Sequence, residues 1–250
     1  MNLLHQIIET KKKEIEAIPI VKNRQRGINN FLPRILENDF SIIAEFKRAS
    51  PSKGVINEKA DPIDQAKYYL ENGATGMSIL TDSRYFKGSF DDLSAVADNT
   101  AIPLLCKDFI IDKKQIEQAY SAGTDMILLI VAALSDRELN ELFTYSKGLN
   151  LDVLIEVHNR IELDRALEIS PDLIGINNRN LETFSVNLEV TEQLGPIIHK
   201  RGIPFISESG IASLDDVKRV HKAGARGILV GESLMRNRDL LREFQRGILE

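Results

Sequence analysis

Tryptophan is absent from this 250-residue chain, and cysteine occurs once, at Cys106. A single cysteine excludes an intramolecular disulfide and fits a reducing compartment, so a cytoplasmic protein is expected. Long apolar runs are missing as well. The longest, Met126 to Leu134, falls far short of the roughly 20 residues a membrane helix needs. Charges begin at Glu9, so the N-terminus has no apolar core of a signal peptide. Positive charge is in deficit, with 32 Lys and Arg against 37 Asp and Glu. No basic stripe exists to meet a nucleic-acid backbone, and neither nucleic acid nor a membrane is an expected partner. No strand is followed by G-x-G-x-x-G, which removes the usual dinucleotide fingerprint.

What is present is an ordinary globular composition, 43% hydrophobic and 28% charged, organised by a weak internal repeat. Gly73-Ala74-Thr75-Gly76-Met77, Gly123-Thr124-Asp125-Met126-Ile127 and Gly224-Ala225-Arg226-Gly227-Ile228 each place a glycine about three residues before an apolar run. That is a helix C-cap leading into a strand. Completing the pattern predicts strands near 41–46, 76–80, 103–106, 126–131, 152–156, 173–177, 204–207 and 227–230. Helices fall between them, with starts at Asp61-Pro62, at the capping box Ser135 to Glu138 and at Ser213 to Asp216. Eight apolar strands alternating with helices predict an α/β fold, a (β/α)8 TIM barrel over 41–250. Residues 1–40 form a helical extension of the same single domain, 1–250. Within it a helix is predicted from Asn2 to Ala17 and another from Phe31 to Leu36, capping the barrel bottom or flanking its mouth. Lys11, Lys12 and Lys13 are expected on a solvated helix face.

In such barrels the active site lies at the C-terminal strand ends. Read in order, those ends carry Glu45 and Lys47, Lys107, Glu156, Asn177 and Arg179, Glu208-Ser209-Gly210, and Gly231-Glu232. Glu45 and Lys47 are two apart on a strand and share a face. Unpaired buried charge is costly, and perturbed ionisable groups gather at functional sites. The small residues after strands 7 and 8 expose backbone N–H groups suited to a phosphate, with the Glu232 side chain expected to point outward. His5, His158, His199 and His221 show no metal-ligand spacing, so no metal is expected. His158 is expected at the surface or behind Glu156. Alternation points Cys106 away from the lumen, as a core residue.

At this level the residues resemble a known family. Ile42-Ile43-Ala44-Glu45-Phe46-Lys47-Arg48-Ala49-Ser50-Pro51-Ser52-Lys53-Gly54 is similar to the first-strand motif of indole-3-glycerol phosphate synthases. Similarity continues through Tyr85-Phe86-Lys87-Gly88-Ser89, Lys107-Asp108-Phe109, Ile155-Glu156-Val157, Asn177-Asn178-Arg179-Asn180, Ser207-Glu208-Ser209-Gly210 and Gly231-Glu232-Ser233-Leu234-Met235. The resemblance implies ring closure of 1-(2-carboxyphenylamino)-1-deoxyribulose 5-phosphate with loss of carbon dioxide and water, in tryptophan biosynthesis. It implies no cofactor. It casts Lys107 as general acid, a ready but slow donor unless its pKa is tuned down. Lys47 would hold the carboxylate and Glu156 would act as base, with Glu45, Glu208 and Asn177 orienting groups. Ser50, Arg179, Ser209, Gly210, Gly231 and Glu232 would hold the phosphate, and Pro51, Phe86, Phe109 and Leu128 would wall in the aromatic ring. A monomer is expected, with other enzymes of tryptophan synthesis as candidate partners. A phosphoribosylanthranilate isomerase, a lysine Schiff-base aldolase and a non-catalytic phosphate-binding barrel are the rival readings.

Overall fold

The computed structural model describes residues 3–19 and 24–249. Eight parallel strands close into a barrel: β1 (Ser41–Phe46), β2 (Gly76–Leu80), β3 (Leu104–Lys107), β4 (Met126–Ile130), β5 (Asp152–Val157), β6 (Ile174–Asn177), β7 (Phe205–Glu208) and β8 (Gly227–Val230). Closure is made by β1, which pairs with β8 through Ser41 and Gly227 and with β2 through Ile43 and Gly76. Predicted strand limits agree with these within one residue. Among the described residues no helix is long and apolar enough to cross a membrane.

Strand alternation divides the core into two layers. Ile42, Ala44, Met77, Ile79, Cys106, Ile127, Leu129, Ile155, Ile176 and Ile228 face outward to the helices. Ile43, Leu105, Met126, Leu128, Leu154, Ile206 and Leu229 fill the lumen. The same alternation continued up each strand turns Glu45, Lys107, Glu156, Asn177 and Glu208 inward above that plug. Burial pushes the Cys106 thiol up to about 12, which fits a packing residue and not a nucleophile.

The extension does two different jobs. Helix α2 (Leu32–Glu37) closes the bottom, where the N–H groups of Phe31 and Leu32 donate to Asp152 at 2.7 and 2.9 Å. The Phe31 ring lies where a Cβ on Gly76 would stand, 2.0 Å away, so only glycine permits this close approach. Helix α1 (Leu3–Glu16) instead lies at the mouth; Asn2, predicted to begin it, lies outside the described residues. Lys11 departs from the solvated-face expectation. It is 4% exposed, with its ammonium 2.8 Å from both Asp82 and Asp108 and 3.0 Å from Glu14. Lys12, its neighbour, is exposed and pairs with Glu9 as a surface lysine does.

Candidate active site

A cavity of about 690 Å³ opens at the C-terminal ends of the strands. Every residue predicted for the site lines it except Glu208, which lies just beneath, fully buried. The extension and loops add walls that sequence reading missed, among them Leu3, Leu4, Ile7, Lys53, Leu181 and Arg236. The apolar side has Phe86 and Phe109 with ring centroids 6.1 Å apart and Leu128 on the floor.

The floor is a network of alternating charge. Lys107 Nζ lies 2.6 Å from Glu208 Oε2 and 3.5 Å from Glu45 Oε2. The other Glu45 oxygen, Oε1, takes Lys47 Nζ at 2.5 Å, so one carboxylate bridges both lysines. Glu156 faces this group from β5, with the His158 ring 3.2 Å behind it. Burial disfavours charge on all of these groups, and the pairings decide the outcome. For Glu45 the two lysines outweigh burial and hold its carboxyl below the usual range. For Glu156, His158 and then Lys107 do the same. For Lys107 burial is outweighed by Glu208, Glu45 and Glu156, and its pKa rises. In the free protein this lysine is therefore not tuned down: three carboxylates hold its proton.

Glu208 is the exception among the acids. Burial, with help from Glu156 and Glu45 and against Lys107, pushes it up to about 7. The native state thus binds this proton more tightly than the unfolded chain does. Its contribution to stability is present below the ordinary carboxyl value of 4.5 and is lost as pH rises through about 7. Glu208→Gln should remove that fall. Urea midpoints measured between about pH 4.5 and 7 should decline less steeply in the variant than in the wild type; parallel slopes would refute the assignment.

Two glycines make room for the network. A Cβ on Gly231 would stand 2.1 Å from Glu45 Oε1 and 2.9 Å from Lys47 Nζ. One on Gly175 would stand 2.2 Å from Glu208 Oε1. Gly231 was expected to be needed for close approach to a phosphate; the structure supplies a separate reason, the Glu45–Lys47 pair beside it. Asn178, not singled out by sequence, binds the ends of β6 and β7 together. Its amide donates to Ser207 Oγ, Glu208 O and Ser209 O at 2.9–3.1 Å.

Around the upper rim, Ser209 and Gly210 adopt successive positive φ values of 64° and 85° in the turn after β7. A Cβ on Gly210 would strike Val186 at 2.5 Å. Ser233 Oγ donates to Ile211 O at 2.8 Å and links this turn to the one after β8. Glu232 turns its carboxylate to Arg236 at 3.2 Å and Lys53 at 3.7 Å. Arg179 is fixed by its N–H on Asn177 Oδ1 and its guanidinium on Phe184 O, at 3.0 and 3.2 Å. Ser50 and Pro51 sit on a short hairpin, Ala49–Ser50 with Gly54–Val55, whose base Arg48 anchors to Asp92. The whole arrangement combines proton donors and acceptors on a buried floor, an apolar wall and a rim that carries Lys53, Arg179 and Arg236.

Comparison with known proteins extends this over the chain's length. The family described as Indole-3-glycerol phosphate synthase matches residues 4–246. An indole-3-glycerol phosphate synthase of Bacillus thuringiensis subsp. konkukian (strain 97-27) is 50% identical over 238 residues, covering 93% of this chain and 92% of the relative. One of Bacillus mycoides (strain KBAB4) is 49% identical over 247 residues, covering 97% and 96%. One of Bacillus cereus (strain AH820) is 50% identical over 238 residues, with 93% and 92% covered. With barrel, extension and charged rim all inside the matched span, the chain belongs to the indole-3-glycerol phosphate synthase family.

Proposed function

We propose that this enzyme closes the indole ring of 1-(2-carboxyphenylamino)-1-deoxyribulose 5-phosphate, releasing carbon dioxide and water to give indole-3-glycerol phosphate. The observation that carries the assignment of roles is the Lys107 ammonium, held at 2.6 Å by Glu208 on the cavity floor and opposed by Glu156 across it. The carbon that bears the substrate carboxylate attacks the ketone, and Lys107 gives a proton to the ketone oxygen as the C–C bond forms. Loss of carbon dioxide returns the bonding pair to the ring. The new hydroxyl then leaves as water with a proton from the Lys47 ammonium, Lys107 having already given up its own. Glu156 removes the last proton and makes the five-membered ring aromatic.

The remaining residues bind and aim. Lys47 holds the carboxylate, and Glu45, reaching both lysines, sets their spacing. Ser50, Arg179, Ser209, Gly210, Gly231 and the Glu232 N–H take the phosphate, while Pro51, Phe86, Phe109 and Leu128 enclose the aromatic ring. Asn177 reaches the ribulose hydroxyls, while Glu208, beneath the floor, holds the Lys107 ammonium in place. The cations Lys47, Lys53, Lys107, Arg179 and Arg236 that line the cavity suit a substrate with two anionic ends.

The chain has no tryptophan, so indole emission from product rises against a low background. Purified wild-type protein given the substrate should develop that emission with one carbon dioxide released per turnover. Glu156→Gln, which keeps the shape and removes the base, should slow it by about 10²–10⁴-fold. Wild-type turnover in the Gln variant would overturn the role given to Glu156.

A further inference from the structure

We propose that His158 is a positioning residue for this reaction: clamped by Glu162, its ring stands behind Glu156 and aims that carboxylate into the cavity. The inference rests on Glu156 being the base. Geometry carries it. His158 follows Glu156 by two residues and continues the inward face of β5 past the strand end. Its Nδ1 lies 2.9 Å from Glu162 Oε2, and its backbone N–H donates to the same oxygen at 2.8 Å. The other Glu162 oxygen accepts from Asn159 Nδ2 at 2.7 Å, and Asn159 caps the helix Arg160–Leu167. Imidazole and capping turn are thereby one rigid unit.

The free end of that unit is Nε2, 3.2 Å from Glu156 Oε1. This nitrogen is buried and lies at ion-pair distance but off the line of a hydrogen bond. Catalytic hydrogen bonds are often misaligned in a ligand-free enzyme and tighten in the complex. The carboxylates that face the ring are Glu156 from its own strand and Glu162 from the following helix. Glu156 in turn faces Lys107 of β3, Asn177 of β6 and Glu208 of β7. Burial works against a charged imidazole, yet the two carboxylates prevail and push its pKa up to about 10. At neutral pH the ring is then a cation, its Nδ1–H on Glu162 and its Nε2–H turned toward the Glu156 carboxylate. Charge on the ring therefore keeps Glu156 ionised in a place where burial alone would protonate it. His158 does not line the cavity, so it acts through Glu156 and not on the substrate.

The test is the pH profile of kcat/KM for His158→Gln beside the wild type. Gln keeps a side-chain N–H but loses the charge. The acid limb should move up by about 1–3 pH units, the range for removing an opposite charge at this distance. Below the limb kcat should fall about tenfold per unit with KM held. Glu162→Gln, which leaves the histidine in place and loosens its clamp, should shift the limb the same way by less. It provides the readout if His158→Gln does not fold. An acid limb that stays at the wild-type pH in a folded variant would overturn the inference. The two ideas fail separately. Turnover by Glu156→Gln would remove the base itself; an inactive Glu156→Gln beside an unmoved His158→Gln limb would remove only the role of His158.

Discussion

Lys107→Met should lose about 10²–10⁴-fold in kcat while the protein stays folded and still binds substrate. Methionine has nearly the length of lysine and no proton to give. Removing one partner of a buried ion pair usually costs about 3–5 kcal/mol, because the other charge is left stranded. Here Glu208 escapes that cost. It already sits near pH 7 in the wild type, so without Lys107 it takes up a proton and becomes neutral. Glu45 keeps Lys47 at 2.5 Å. The proposed phosphate and aromatic contacts lie elsewhere on the rim, so binding should persist. A thermal melt, a KM or binding measurement and the emission assay together check it. A collapse of binding in step with kcat would mean that Lys107 is chiefly a substrate ligand.

Lys11→Met should cost about 3–5 kcal/mol, or about 6–20 °C in melting temperature, the largest stability loss expected of a single change in the extension. Asp82 and Asp108 are both buried and both rely on this ammonium. Each has local hydrogen bonds, Asp82 from the Tyr85 N–H and Asp108 from Thr81 Oγ1 and the Phe109 N–H, but among the described residues Lys11 is the one cation paired with either. Burial opposes the Lys11 charge and the two aspartates outweigh it, raising its pKa. A raised lysine contributes fully below its unfolded value, near 10.4, and loses that contribution as pH rises through the folded one. The deficit of the variant should therefore be flat across neutral pH and shrink only above about pH 10. Since α1 carries Leu3, Leu4 and Ile7 to the cavity wall, the same change should raise KM more than it lowers kcat. A variant as stable as the wild type would show that α1 is held by its apolar face alone.

Much of this was legible before any coordinates. The apolar runs are short, evenly spaced and preceded by glycine caps, so strand limits could be read to within a residue. Once eight strands alternate with helices, the barrel dictates which ends share a rim, and Glu45, Lys107, Glu156 and Glu208 follow from position alone. Their pairing does not. Which carboxylate meets which lysine depends on the stagger of the barrel, where Glu45 stands level with Ser78 and Glu208 level with Leu229 and Asn177. Lys11 was misread because three lysines in a row look alike, and its partners Asp82 and Asp108 are remote in sequence. Gly231 was read as leaving room for a phosphate, and what stands beside it in the free protein is the Glu45 carboxylate. His158 was placed either at the surface or behind Glu156, and the turn that seats Glu162 against it, which carries no signal beyond an ordinary helix start, decides for the second.

The central claim is that an ammonium at position 107 supplies the proton for ring closure. Lys107→Cys, alkylated with 2-bromoethylamine, tests it most directly, since the product restores an ammonium on a chain of nearly lysine length. Cys106 is buried with its thiol pushed up to about 12 and stays out of the reaction. Indole emission should be lost in Lys107→Cys and should return by at least about tenfold when alkylation is complete by mass. Turnover at the wild-type rate before alkylation, or none after it, would contradict the account.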